Sequence, residues 1–286
     1  ILVSADGTRV VTRGQNGDAH LWDGATGKHL RYINATWQRG LAMSPDGHAM
    51  VVWRQNSGPA ESDIWARRIA ADGSVSDAET IDHLPRSANE PQVAMDAQGR
   101  AIAVWRQLTG FRVGIYANRY AEGQWGPEAV QVEEGVGTVT SQPQLSVNAA
   151  GDALAVWQQA ANSTPGTRTD IWSNRFAQES DKWGTAVPIE NDDAGSMTLP
   201  RVALAANGEA AAVWQQTVGT GATALTSAWA SLQTAEGAWG IAAPMENSDE
   251  GPAGAPRVAI SARTLRPSSA SVGTSGGQER PALYFE

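Results

Sequence analysis

The sequence predicts an all-β chain folded as a β-propeller of four-stranded antiparallel blades. Three observations carry this reading. One phrase occurs four times, as "AMVVWRQ" (49–55), "AIAVWRQ" (101–107), "ALAVWQQ" (153–159) and "AAAVWQQ" (210–216). Its tryptophans, Trp53, Trp105, Trp157 and Trp214, follow one another at steps of 52, 52 and 57 residues. The segments around them run to roughly 5–8 residues, rich in β-branched and aromatic side chains, and leave no room for a 3.6-residue apolar period.

Each copy resolves into four strands. The first precedes a glycine turn: "LAMSPDG", "QVAMDAQG", "QLSVNAAG" and "RVALAANG", ending at Gly47, Gly99, Gly151 and Gly208. Such turns suit tight hairpins, where glycine takes a positive φ at least cost. The recurring phrase is the second strand. In residues 153–159, Leu154 and Val156 point one way while Ala153, Ala155 and Trp157 point the other. An apolar strand on both parities is covered on both faces, as a middle strand between neighbouring blades must be. A large ring beside alanines suits close sheet packing, so Trp53, Trp105, Trp157 and Trp214 are assigned to the core. Gln159, on the same face as Trp157, is expected to mark the strand's exit from that core.

A third strand recurs as "DIWARRIA" (63–70), "GIYANRYA" (114–121), "DIWSNRFA" (170–177) and a degraded "LTSAWASL" (225–232). The fourth opens on Trp-Gly at Trp125, Trp183 and Trp239, with "VSDAETI" in the first copy. Four strands in about 50 residues, repeated, is the sequence mark of a propeller.

The ends differ. The opening "LVSADGTRVVTRGQNGDAHLWDGATGKHLRYI" lacks most of an innermost first strand, whereas "PRVAIS" (256–261) is a first strand without a continuation. Docking the latter on the N-terminal blade gives about five blades, with boundaries near 1–35, 36–88, 89–140, 141–198 and 199–255 and a closing strand at 256–261. The alternative is a fragment of a six- to eight-bladed propeller. Residues 262–286 are Ser/Gly/Pro-rich without a period, a disordered composition. With Ile1 as its first residue, the expectation is a chain whose signal peptide was removed, or a fragment.

The motifs P-x-V-A-x-D-x-x-G-x-A-x-A-V-W-x-Q, I-Y-A-N-R-Y and W-G over residues 41–261 resemble repeats of exported bacterial proteins with BNR- or sialidase-like propellers. The first 35 or so residues, with "SADG", "DAHLWD" and "TGK", resemble a WD-type blade. The resemblance implies an extracytoplasmic (periplasmic, cell-surface or secreted) propeller and no particular activity.

Bulk properties exclude several classes. A net charge of -9 and a pI near 5.0 disfavour nucleic acid and adsorption to anionic membranes. No apolar run approaches the roughly 20 residues of a membrane span. The absence of cysteine excludes disulfides, thiolate nucleophiles and Cys-ligated zinc.

Several side chains invite chemistry. Arg68, Arg119 and Arg175 occupy equivalent places on the third strand, where a sialidase-like enzyme would clamp a carboxylate. Recurrence in three copies equally fits a structural brace, and none of Tyr32, Tyr116, Tyr120 and Tyr284 stands in the setting of a nucleophile. The acidic links "ENDDAG" and "ENSDEG" offer Asp192, Asp193, Asp249 and Glu250 to Ca2+, though without the alternating-Asp loop, and solvated loops are the plainer reading. His20, His29, His48 and His83 lack zinc-binding spacing. Twelve tryptophans against three phenylalanines need a positional reason, and Trp125, Trp183 and Trp239 admit two: rim platforms for sugar rings, or rings packed between blades. The function expected is a non-enzymatic propeller that binds or scaffolds a protein or glycan, with loops 159–170 and 217–224 contributing recognition. A multivalent lectin and a sialidase-like glycoside hydrolase are the alternatives.

Overall fold

The computed structural model describes residues 1–14, 18–33, 38–59, 61–133, 138–160, 168–190, 195–219, 221, 224–245 and 254–260. The described residues are strand and turn, apart from a single 3₁₀ residue at Gly221, and the strands assemble into five antiparallel sheets. The fold is a β-propeller.

The first blade is β1 (Leu2–Val3), β2 (Arg9–Arg13), β3 (Ala19–Asp23) and β4 (His29–Ile33). The second is β5 (Gln38–Met43), β6 (Ala49–Asn56), β7 (Ser62–Ile69) and β8 (Glu79–Thr80). In the third, β9 (Ala88–Met95), β10 (Ala101–Thr109) and β11 (Arg112–Ala121) precede a fourth strand broken into β12 (Gln124–Trp125) and β13 (Val130–Gln131). The fourth repeats that pattern with β14 (Gln144–Val147), β15 (Ala153–Ala160), β16 (Thr169–Ala177), β17 (Lys182–Trp183) and β18 (Val187–Pro188). The fifth is β19 (Ser196–Leu204), β20 (Ala210–Val218), β21 (Leu225–Gln233) and β22 (Ala243–Pro244).

The turn glycines Gly47, Gly99, Gly151 and Gly208 all have positive φ, between 74° and 98°. An L side chain there would be strained. Second strands are sandwiched between blades. Met50 and Val52 pack towards Ala101, Ala103 and Trp105 of the next blade. Ile102 and Val104 likewise meet Ala153, Ala155 and Trp157. Trp105, Trp157 and Trp214 are fully buried and Trp53 nearly so.

Gln159 does not leave the core. It is 1% exposed, and its Oε1 accepts from Trp157 Nε1 at 2.9 Å. Gln107 and Trp105 make the same bond at 2.9 Å, and Gln55 and Trp53 at 3.2 Å. Two residues along a strand return to the same face, so the glutamine satisfies an indole N–H that burial would otherwise orphan.

The third strand ties blades together in both directions. Asn118 Nδ2 donates to Ile81 O of the preceding blade at 2.8 Å and to its own Gly126 O at 2.9 Å. Asn174 does the same towards Val132 O and Gly184 O. A Cβ at Gly126 would come within 2.8 Å of Asn118 Oδ1, which is why glycine follows the tryptophan there.

At the ends, β1 fills the inner position of the first blade. Residues 254–260 belong to no strand, so the expected closing strand is not formed among the described residues, and Arg257 lies close enough to Arg201 of β19 for the two charges to repel. The low-complexity segment 262–286 lies outside the described residues.

Candidate functional site

The sequence-predicted residues separate in space. Arg68, Arg119 and Arg175 do not converge. Arg68 Nη2 meets His48 Nδ1 at 2.7 Å. Arg175 Nη1 donates to Gly208 O of the fifth blade at 2.8 Å. Arg119 reaches into the fourth blade, 2.9 Å from Asp181 Oδ1 and 3.0 Å from Gln178 Oε1, with its guanidinium 5.8 Å from the Phe176 ring centroid. Each works as a local tie, and the two on β11 and β16 span adjacent blades. No carboxylate clamp is assembled from the three.

The Trp-Gly tryptophans also part company. Trp125 is buried against Tyr120, edge to face at 5.6 Å. Trp239 leans on the fourth blade, where its Nε1 donates to Ser173 Oγ at 2.9 Å. Trp183 packs edge to face on Phe176 at 5.7 Å but remains half-buried, lining a groove of about 350 Å³ between the third and fourth blades. Asp192, Asp193, Asp249 and Glu250 lie outside the described residues. Among the described residues, no group of three or more His, Asp or Glu side chains is placed to hold a metal ion.

The groove brings Arg119 and Trp183 together. Its apolar wall is Ile102, Ala117, Val130, Phe176 and Trp183, and its polar rim is Asn118, Arg119, Glu128, Gln131, Asp181 and Lys182. Each side chain is placed by strand register. Arg119 opposes Ile102 on β10, and Phe176 opposes Trp183 on β17. Trp183 Nε1 has no hydrogen-bond partner among the described residues. An aromatic face beside fixed donors and acceptors matches what a sugar ring offers: an apolar C–H face bordered by hydroxyls. Phe176, Ala117 and Asp181 do not stand out in the sequence, because their role depends on how two blades meet.

Carboxyls with raised proton affinity lie elsewhere. Asp82 is 2% exposed; burial, with Asp63 nearby, pushes its pKa up to about 7. Burial, with Asp170 nearby, pushes Glu190 up to about 7 as well. Glu133 is raised by burial too, against hydrogen bonds from Gln131 and the Ile115 N–H that favour its ionised form. Asp82, Glu133 and Glu190 each directly follow the isoleucine or valine just past the outer strand, so they are a repeated feature of blade construction.

Several solved structures are similar to the chain. A polysaccharide lyase of family PL25, an ulvan lyase bound to -[GlcA(1-4)Rha3S]-, superposes with a TM-score of 0.56 and 10% identity, over 81% of this chain and 67% of that one. The β-propeller domain of Cps50 (Swd1) from Myceliophteria thermophila gives a TM-score of 0.46 and 9% identity over 87% of each chain. An α-L-arabinofuranosidase from Fusarium graminearum gives 0.43 and 13% identity, over 68% of this chain and 62% of that one. No family model matches the chain, and no curated protein matches it in sequence.

Proposed function

We propose that this chain is an extracytoplasmic, non-enzymatic propeller that binds a glycan in the groove between its third and fourth blades. The observation that carries the proposal is Trp183: a half-buried indole with an uncommitted N–H, at the side of a groove rimmed by Arg119, Glu128, Gln131, Asp181 and Lys182. The fold neighbour bound to a GlcA-containing saccharide supports the ligand class. The resemblance of the repeats to exported bacterial proteins supports the location.

Binding without turnover is favoured by the acids present. Asp181 is paired with Arg119 at 2.9 Å, so its carboxylate is committed to a guanidinium and not free to face a scissile bond. Hydrolysis of a glycosidic bond needs a second, protonated carboxyl across the bond from the first. The groove's other acid, Glu128, stands exposed to solvent at the rim, and Asp82, Glu133 and Glu190 line no part of the groove.

Titrating a panel of neutral and acidic oligosaccharides while following tryptophan emission tests the reading. A saturable change that disappears in Trp183→Ala, with no release of product from aryl glycosides, is the expected result. Turnover of any panel member would replace binding with hydrolysis, and an unchanged response in Trp183→Ala would show that the groove is not where the saccharide sits.

A further inference from the structure

A second, chemically different pocket of about 230 Å³ opens where β9 begins, between the ends of β6 and β10. Arg54, Ser87, Asn89, Glu90, Arg106 and Leu108 line it. Three features give this pocket the chemistry of an anion site. Arg54 is half-buried, yet its guanidinium has no ion pair or hydrogen bond among the described residues, and its Nε is fully shielded from solvent. A guanidinium withdrawn from water without a counter-charge is costly to keep. Arg106 is only partly neutralised: Nη1 lies 3.0 Å from Glu90 Oε2, Nη2 donates to Val139 O at 3.2 Å, and Nε is left without a partner. The Asn89 amide, also half-buried, has no side-chain hydrogen bond among the described residues.

The backbone is arranged around this spot. Glu90 has a φ of 56°, and the pairing of β9 with β10 shifts between Val104 and Arg106. Such a bulge re-aims side chains at the end of a strand. The arginines are also a departure from the repeat. At the places of Arg54 and Arg106 the fourth and fifth blades carry Gln158 and Gln215, and Gln158 is satisfied within its own blade by Thr169 Oγ1 at 2.8 Å. Where a repeat needs only a neutral amide for its architecture, two arginines beside one shared pocket call for another cause. With Arg54, Arg106 and Glu90 the pocket carries a net positive charge on a chain of net charge -9.

We infer that this pocket binds an oxyanion, the carboxylate or sulfate group of a small acidic saccharide, with Arg54 as the principal donor and Arg106 and Asn89 flanking it. A planar guanidinium meets either group through two parallel N–H bonds. This site is separate from the Trp183 groove and does not depend on it.

Isothermal titration of the intact chain with sodium glucuronate, glucose and sodium sulfate at matched ionic strength tests the inference. Glucuronate is expected to bind the native protein and Trp183→Ala alike, and glucose to give no measurable heat. Arg54→Gln, which installs the residue that the fourth and fifth blades carry, is expected to weaken glucuronate by about tenfold or more. Asn89→Ala, a substitution that breaks no described side-chain bond, should weaken it by a smaller factor and serves if Arg54→Gln melts early. Sulfate matching glucuronate would identify the ligand as a free oxyanion; a clear preference for glucuronate would identify it as a sugar acid. Equal affinity in native and Arg54→Gln protein, equal binding of glucose, or no binding of either anion would overturn the inference. Loss of glucuronate binding in Trp183→Ala would move the ligand to the groove, ending this inference while leaving the groove reading in place.

Discussion

The seam between the third and fourth blades and the seam between the fourth and fifth are built from the same repeat, yet the first carries a groove and the second commits its outer tryptophan to a bond with the preceding blade. In each, an indole from the outer strand leans on the preceding blade. Trp239 finds Ser173 Oγ at 2.9 Å. Trp183 finds Ala117, which holds the place of Ser173 one blade earlier and has no hydroxyl to offer. The backbone-directed strut is distributed the other way. Asn174 crosses the open seam to Val132 O, whereas in the fifth blade Ser231 stands in its place and donates only to its own Gly240 O. Besides the arginine ties from Arg119 and Arg175, each seam thus has a polar tie from this set of side chains, Asn174 in the first and Trp239 in the second. Where an asparagine supplies it, the tryptophan is left free for other work.

On this account the seams differ chiefly at the rim, while both cores bury their second-strand tryptophan completely. Trp157→Ala is the severest test. It empties a fully buried indole site in the open seam and removes the Trp157 Nε1–Gln159 Oε1 bond, and it should cost about 3–5 kcal/mol. Denaturant unfolding should show a loss comparable to that of Trp214→Ala in the other seam. A much smaller loss at Trp157 would mean that the open seam is loose throughout.

The struts come next. Asn174→Ala removes bonds to two carbonyls at a site only 3% exposed, and about 1–3 kcal/mol should be lost. Ser231→Ala, which breaks a bond within one blade, should cost less. Equal losses would refute the division of labour between asparagine and indole.

Buried acids at the ends of the outer strands extend the comparison to the seam before these two. Asp82 has its pKa raised from 3.8 to about 7 by burial and by Asp63. The folded chain therefore holds this proton in a range where the unfolded chain has released it, so stability falls as pH rises from about 4 to about 7. Asp82→Asn cannot ionise. It should raise the melting temperature at pH 8 by about 3 °C, and by little or nothing near pH 4.5. Glu190, raised to about 7 by burial and by Asp170, keeps part of the same slope in the variant. A melting point unchanged at pH 8 would show that Asp82 ionises without penalty.

Much of this is legible in the chain itself. The period in Trp53, Trp105, Trp157 and Trp214, with glycine six residues before each, defines the second strands and the turns that feed them. Strand parity alone predicts which face the rings take. What Gln159 does is harder to see. Its spacing puts it on the ring's face, but its polarity reads as an exit towards solvent. The deciding cause is the indole N–H, which needs an acceptor once buried. The groove is half legible. Arg119 and Trp183 stand out as repeat positions, whereas Ala117, Phe176 and Asp181 gain meaning only from the register of one blade against the next. Nor does the oxyanion pocket announce itself in the chain. Its signal, arginine at two places where later copies have glutamine, is visible only after the copies are aligned and the bulge at Glu90 is known.

The smallest expected effect is the most direct test of why one seam is open. Ala117→Ser adds a single oxygen at the place from which Ser173 holds Trp239. The Trp183 indole should then gain a partner on the third blade and settle across the mouth of the groove. The gain in stability should be about 0.5–1.5 kcal/mol at most, since one hydrogen bond to a half-exposed ring exchanges for water. Saccharide binding in the groove should weaken several-fold, because the ligand must now compete with the introduced hydroxyl for the same N–H. Ser173→Ala is the reciprocal variant and should release Trp239 without creating a comparable site, since the Arg119–Asp181 pair belongs to the seam between the third and fourth blades. If Ala117→Ser binds saccharide as tightly as the native chain, the uncommitted N–H of Trp183 is not what the ligand uses.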